Sequence, residues 1–456
     1  MADPHPDLPL RPPFTLRARV ITPLAAGGTR DEPDALVVVD RTGRIERIVR
    51  ASDDPASAVH AVDLRGWVLL PGLVDLHAHL PQLPKAGLGA GLQLLTWLER
   101  YVFPLERDFD EEAAARLAPL FFSVFAAAGT TTVVAYSAVY AGSTDAAFRA
   151  AEAHGIRAVL GQVLMDRHRY EHEIPDHKVL DASLQASADL AAHWHGRQGG
   201  RLRYAFTPRF AISCSSELLR ESAWLAAERD AYWQTHLSED VTELEVVARE
   251  FPEALDYLDV YDRAHGLTHR AILAHAIHLS DREVARLAES GARVAHCPSS
   301  NLFLASGIMP LARYLEAGIP VGLGSDVAGG PNPSLFSVMR QGAYAQNALR
   351  ALALETRPSL DPAGWLRLAS FEGARCLGID DVTGSLEDGK EADLIAVDAA
   401  MVAPVPGTPP PDEAADLLSL LMFRAHPSMV RGAWVRGVRL PGPGGWADPE
   451  EDDDPA

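Results

Sequence analysis

Six side chains in this sequence carry the means for metal-assisted hydrolysis. His77 and His79 stand one residue apart in "VDLHAHL", His236 and Glu239 share "HLSE", His275 lies in "LAHAIHLS" and Asp326 ends "GLGSD". On a β-strand residues i and i+2 project to the same side, so His77 and His79 can reach one ion. Imidazole nitrogens with one carboxylate suit Zn²⁺ or Fe²⁺ and leave a coordination position for water. Glu239 follows His236 by three residues, so it can stand beside the ion without binding it and shuttle protons to a substrate. Each residue also has a plainer reading. An HxH can close an ordinary strand, Asp326 can cap a helix, and Glu239 can favour a helix start. His278 and His296 read as hydrogen-bonded structural residues. The position of the set in the fold is what separates the two readings.

The elements that must carry these residues follow from the pattern after Pro71-Gly72. Short apolar runs alternate there with longer Ala- and Leu-rich stretches, the signature of repeated βα units. The runs are LVDLHAH (73–79), TTVVAY (131–136), RAVLGQVLM (157–165), LRYAFTPR (202–209), YWQTHLS (232–238), AILAHAI (271–277), RVAHCPS (293–299) and VGLGSD (321–326). Eight strands with intervening helices predict an α/β fold, a (β/α)8 TIM barrel, whose strand C-termini share one face. A doubly wound sheet is the alternative, but no GxGxxG turn follows the first strand. In the barrel, His77 and His79 end strand 1, His236 and Glu239 strand 5, His275 lies on strand 6, His296 on strand 7, and Asp326 closes strand 8. Candidate ligands at four strand ends make a metal site the stronger reading.

Both flanks are β-rich. "FTLRARVITP", "DALVVVD" and "GRIERIVR" precede the barrel, with Thr42-Gly43 marking a hairpin, and "GSLEDGKEADLIAVD" and "MVRGAWVRGVRL" follow it. The simplest assembly is one small composite β-sandwich domain, built from residues 1–70 and 378–456, beside a hydrolase barrel over 71–377. The last stretch, "DPEEDDDPA", reads as a solvated acidic tail.

Composition narrows the function class. A formal charge of −21 argues against nucleic acid and anionic membranes as partners. Cys214, Cys297 and Cys376 are scattered and lack CxxC spacing, so no disulfide framework is expected and the chain reads as cytoplasmic. No secretory signal or membrane-length apolar run is present.

"PGLVDLHAH", "THLSE", "LAHAIHLS", "VAHCPSSN" and "GLGSDVAGG" together resemble the amidohydrolase superfamily, in its metal-dependent deaminase and chlorohydrolase branch. "HLPQ", "LLTWLERYVFPLE", "TPRFAISCS" and "GSDVAGG" are similar, more closely, to its guanine deaminases; the ordered series runs from about residue 69 to 389. The resemblance implies a barrel plus composite β domain, a single zinc per subunit (Fe²⁺ being possible) and usually a homodimer. It implies hydrolysis of guanine to xanthine and ammonia, as in purine catabolism and salvage, with a small purine as substrate. His77, His79, His236 and Asp326 would be the ligands, Glu239 the proton shuttle, and Asp326 would share in catalysis. His275 would hold the attacking oxygen and the developing oxyanion. Gln82 and Arg209 match residues that read guanine, and Phe210 an aromatic that packs on it; the plainer readings are a rim salt bridge for Arg209 and core packing for Phe210.

Binuclear members commonly bridge two metals with a lysine on an early barrel strand. The lysines here are Lys85, Lys178 and Lys390, none of them on those strands, which favours one metal. The HxE and PCxxC ligands of the other zinc-deaminase fold are missing. Two segments depart from the pattern or carry no signal, "PNPSLF" after "DVAGG" and "AVYAGSTDAAF". They leave open another aminopurine, a pterin or a triazine as substrate. A ligand-depleted, inactive binding protein is the reading from another class, and the complete residue set argues against it.

Overall fold

The computed structural model describes residues 7–443. The acidic run at the C-terminus lies outside them. The N-terminal segment forms β1 (Phe14–Pro23), β2 (Thr29–Val39), β3 (Ile45–Arg50) and β4 (Val62–Pro71). After Gly72 come the core strands: β5 (Leu73–His79), β6 (Thr130–Tyr136), β7 (Arg157–Gly161), β8 (Val163–Leu164) and β9 (Leu202–Pro208). These continue as β10 (Tyr232–Leu237), β11 (Ala271–His275), β12 (Arg293–His296) and β13 (Val321–Leu323). The C-terminal part adds β14 (Leu394–Asp398), β15 (Val430–Val435) and β16 (Val438–Arg439).

Eight strands, β5-β6-β7-β9-β10-β11-β12-β13, pair in parallel in that order, with the two-residue β8 paired to β9. This is the expected TIM-like barrel. Every residue of β5 and β6 is buried, as strands covered on both faces require. β5 and β13 share no strand pairing. The barrel closes instead through single backbone bonds just beyond β13: Asp326 N–H donates to His77 O (2.7 Å), and His79 N–H donates to Val327 O (3.0 Å).

The flanking segments meet in one seven-stranded sheet, β16-β15-β14-β4-β1-β2-β3. The pairings are antiparallel except for β1 with β4, and β4 with β14 is the join between the N- and C-terminal parts. β4 passes into β5 with only Gly72 between them, so this sheet sets where the first barrel strand begins. A Cβ at Gly72 would lie 2.0 Å from Thr131 Oγ1, which restricts the position to glycine.

Six barrel runs extend past the observed strands. The run over 157–165 breaks into β7 and β8, β9 and β10 each stop one residue early, and β11 stops at His275, β12 at His296 and β13 at Leu323, where the patterns suggested 277, 299 and 326. Pro298 starts a helix over Pro298–Phe303, and His275, Ala276 and Asp326 adopt left-handed backbone (φ 70°, 49° and 48°) that no strand continues. No described helix is long and apolar enough to cross a membrane. Cys214, Cys297 and Cys376 are free and buried.

Candidate active site

Asp75, His77 and His79 alternate along β5 and share one of its sides. His236 comes from β10, and Asp326 from the loop that closes the barrel beside β5. The result is convergence. His79 Nε2 lies 3.2 Å from His236 Nε2, and Asp326 Oδ1 lies 3.2 Å from Nε2 of both His77 and His79. Donors about 2.0 Å from a common tetrahedral centre stand about 3.3 Å apart, so these spacings fit a bound divalent ion. His77 Nε2 is buried with no hydrogen-bond partner, as a ligand atom awaiting a metal would be.

The environment puts each donor in its ligand form. Burial is the main force lowering the affinity of His77, His79 and His236 for protons, His79 to about 4. Burial opposes ionisation of Asp326, but the surrounding imidazoles outweigh it and hold the carboxyl well below its usual range. Metal ligands need this combination of neutral imidazole and ionised carboxylate. His236 Nδ1 lies 2.6 Å from Arg209 O; a carbonyl only accepts, so Nδ1 carries the proton and Nε2 offers its lone pair inward.

Sequence reasoning missed the supports beneath this set. Asp75 is fully buried and accepts both His77 N–H (3.1 Å) and Ser325 N–H (2.9 Å), clasping the two sides of the barrel seam. Burial raises its carboxyl to about 7. Gly329 stands so close that a Cβ would lie 2.6 Å from Ser300 Oγ and 2.9 Å from Asp326 Oδ2, which accounts for the first glycine in "DVAGG".

Glu239 lies past the end of β10 and is buried. Its Oε2 is 3.4 Å from His275 Nε2, and Ser306 Oγ donates to its Oε1 at 3.4 Å. Burial, with repulsion from Asp326 next, pushes its carboxyl well above the usual range, so it can hold a proton. His275 Nδ1 donates to Asn301 Oδ1 (2.9 Å), turning Nε2 toward Glu239 and, at 3.8 Å, Asp326 Oδ2. Ser238, His275, Ala276 and Asp326 all have positive φ; strain of this kind concentrates at functional sites.

These groups open onto a cavity of about 370 Å³ lined by His79, Gln82, Arg209, Phe210, His236, Glu239 and Asp326, with Leu94, Trp97, Leu98 and Leu304 as apolar wall. Every candidate from the sequence thus lines this cavity or stands directly behind it. Gln82 lies on a short 3₁₀ helix, Leu80–Lys85, immediately after β5. Its Nε2 donates to Glu106 Oε1 (2.8 Å), and Arg209 Nη1 donates to Glu106 Oε2. Glu106 is fully buried and ends "LLTWLERYVFPLE", where no local pattern marks it. His278 bonds Ser306 O (2.8 Å), as a structural histidine should. His296 departs from that expectation: it is buried with no hydrogen-bond partner on either ring nitrogen.

The two segments that left the substrate open lie elsewhere. Asn332, Pro333 and Ser334 line a cavity of about 1060 Å³ near Arg340 and His426, and Val139, Tyr140 and Ala141 line one of about 690 Å³.

The amidohydrolase family model matches residues 68–440. The chain belongs to the amidohydrolase family. It is 40% identical over 375 residues to a probable guanine deaminase of Deinococcus radiodurans, covering 79% of this chain and 82% of that one. A guanine deaminase of C. acetobutylicum with guanine bound in its active site superposes with a TM-score of 0.84 at 26% identity, over 94% of this chain and 99% of that one. A Xanthomonas campestris adenosine deaminase with bound zinc gives a TM-score of 0.78 at 27% identity, over 94% and 93%. This amidohydrolase therefore carries a hydrolase site for C–N bonds, with a donor set suited to a metal.

Proposed function

We propose that this amidohydrolase converts guanine and water to xanthine and ammonia. The carrying observation is one cavity with two chemistries: donors spaced for an ion on one side, a glutamine and an arginine on the other, and a protonatable glutamate with them. The 40%-identical probable guanine deaminase and the guanine-bound neighbour support the same reading.

His77, His79, His236 and Asp326 would hold one divalent ion per subunit, zinc by preference, with Fe²⁺ fitting the same donors. Such an ion supplies Lewis acidity that brings a water's pKa near neutrality. Glu239 delivers its proton to ring nitrogen N3 as oxygen adds to C2. His275, its tautomer set by Asn301, orients that oxygen and the charge developing on it. Asp326 and Glu239 pass on the protons that leave with ammonia. Gln82 and Arg209 bind the polar edge of the purine, Phe210 packs against its ring, and the Leu94, Trp97, Leu98 and Leu304 wall excludes water. We place the composite β unit at 1–70 and 378–456 and the barrel at 71–377. The working form is a cytoplasmic homodimer.

Ammonia release across guanine, adenine, cytosine, 8-oxoguanine and a pterin tests the substrate. Guanine should lead; turnover of another compound with none of guanine rejects it. A protein that neither holds stoichiometric zinc or iron nor gains it on reconstitution would rule out the enzymatic reading.

A further inference from the structure

We propose that Glu106 is a positioning residue that makes the site demand a lactam edge, a ring N–H beside a carbonyl. It does so by fixing Gln82 as an acceptor beside the guanidinium of Arg209, which is a donor in any case and which Glu106 holds in place. The proposal rests on the guanine reading above and concerns which group enforces selectivity within it.

Glu106 is fully buried, 24 residues from Gln82 and 103 from Arg209, and touches both. Glu106 Oε2 accepts from the Arg209 guanidinium, and a carboxylate offers only acceptors. Gln82 must therefore turn its NH₂ toward Glu106, where Nε2 lies 2.8 Å from Oε1. Its carbonyl Oε1 is left buried and without a hydrogen-bond partner in a residue that lines the cavity. The two ends of an amide are alike in shape, so only its hydrogen bonds decide which faces the substrate. Glu106 decides it.

Arg209 is fixed from the same helical turn, Phe103–Arg107. Glu106 accepts from its Nη1, and Phe103, three residues earlier, lies under the guanidinium with Cζ 5.2 Å from the ring centroid. Arg209 also lines the cavity. The site thus offers an acceptor and a donor in fixed places. Guanine answers with N1–H and the C6 carbonyl. 2,6-Diaminopurine has the same amine at C2 but reverses the edge, with a bare N1 and an amine at C6. It would set lone pair against lone pair and N–H against N–H. A buried site built for hydrogen bonds rejects the mismatched analogue by about 10⁴-fold.

The test compares kcat/KM for guanine and 2,6-diaminopurine in the metal-loaded protein, Glu106→Gln and Glu106→Asp. In E106Q the new amide can donate to Gln82 and let it turn over. The guanine preference should fall by about tenfold or more, mainly through a higher KM for guanine, with metal content unchanged. E106D keeps a carboxylate and should recover part of the preference. In a Gln82→Ala background E106Q should change the preference by less than about threefold, because the effect runs through Gln82. A folded E106Q that keeps the full preference, or loses both activities equally, overturns the proposal. If the variants do not fold, the unmodified enzyme decides. Hypoxanthine should inhibit at least about tenfold more tightly than adenine, and equal inhibition overturns the proposal. Absence of guanine turnover by the unmodified protein would instead overturn the underlying reading, and this proposal with it.

Discussion

Burial acts on neighbouring side chains in opposite directions in this cavity, and the chemistry depends on the difference. It lowers the proton affinity of His77, His79 and His236 and raises that of Glu239. In the proposed mechanism the first three would be donors for an ion, and the last would supply the proton a departing amine needs. Glu239→Gln removes that proton transfer while leaving every proposed ligand in place. It should keep the bound metal at wild-type stoichiometry and lower kcat by about 10²–10⁴-fold; metal analysis beside steady-state kinetics measures both, and an undiminished kcat contradicts the assigned role. The histidines were legible because a two-residue spacing at a strand end has a direct geometric meaning. Glu106 was not. It meets Gln82 and Arg209 only through tertiary contact, and a glutamate at the end of an amphipathic run has no distinguishing local pattern. Asp75 was hidden for a related reason: as a buried acid inside a strand it shows its purpose only when Ser325 arrives from the far side of the barrel.

At the scale of elements, the seam between β5 and the loop after β13 organises the site. The seam has no strand pairing, and its backbone bonds run from Asp326 to His77 and from His79 to Val327. Closing the barrel and assembling the donor set are therefore the same event. Asp75→Ala cuts the clasp from both sides. It should weaken zinc affinity by about 10–100-fold, read by competition with a chelating dye, because partners behind a metal site carry that much. Unchanged affinity would contradict the role given to the seam. Eight strands could be read from alternating apolar runs, and β1 was found to the residue. The runs overshot at β12 and β13 because residue type continues past the point where Pro298 and the left-handed Asp326 turn the chain. β4 was seen only as part of a β-rich region, since Asp63, Arg65 and Gly66 interrupt its pattern.

Across the whole molecule, the seven-stranded sheet and the barrel are tied by charge as well as by the β4–β5 passage. Arg157 at the start of β7 is buried and reaches Glu391 (2.6 Å) and Asp393 (2.8 Å) just before β14, and Arg436 Nε joins Glu391 at 2.8 Å. Arg157→Leu would leave two buried carboxylates short of their partner, and such a break costs about 3–5 kcal/mol. Denaturant unfolding should show that loss; a change within error would mean that water reaches the cluster. The sheet also hands β5 its starting position, so the strand that carries His77 and His79 depends on residues from both flanking segments. Deamination of guanine at a single metal is tested most directly by zinc titration of the metal-free protein, with xanthine and ammonia followed together. Activity should rise linearly to a break at one zinc per subunit, with equal amounts of the two products. No guanine turnover at any zinc content, or a break at two zincs, would contradict it.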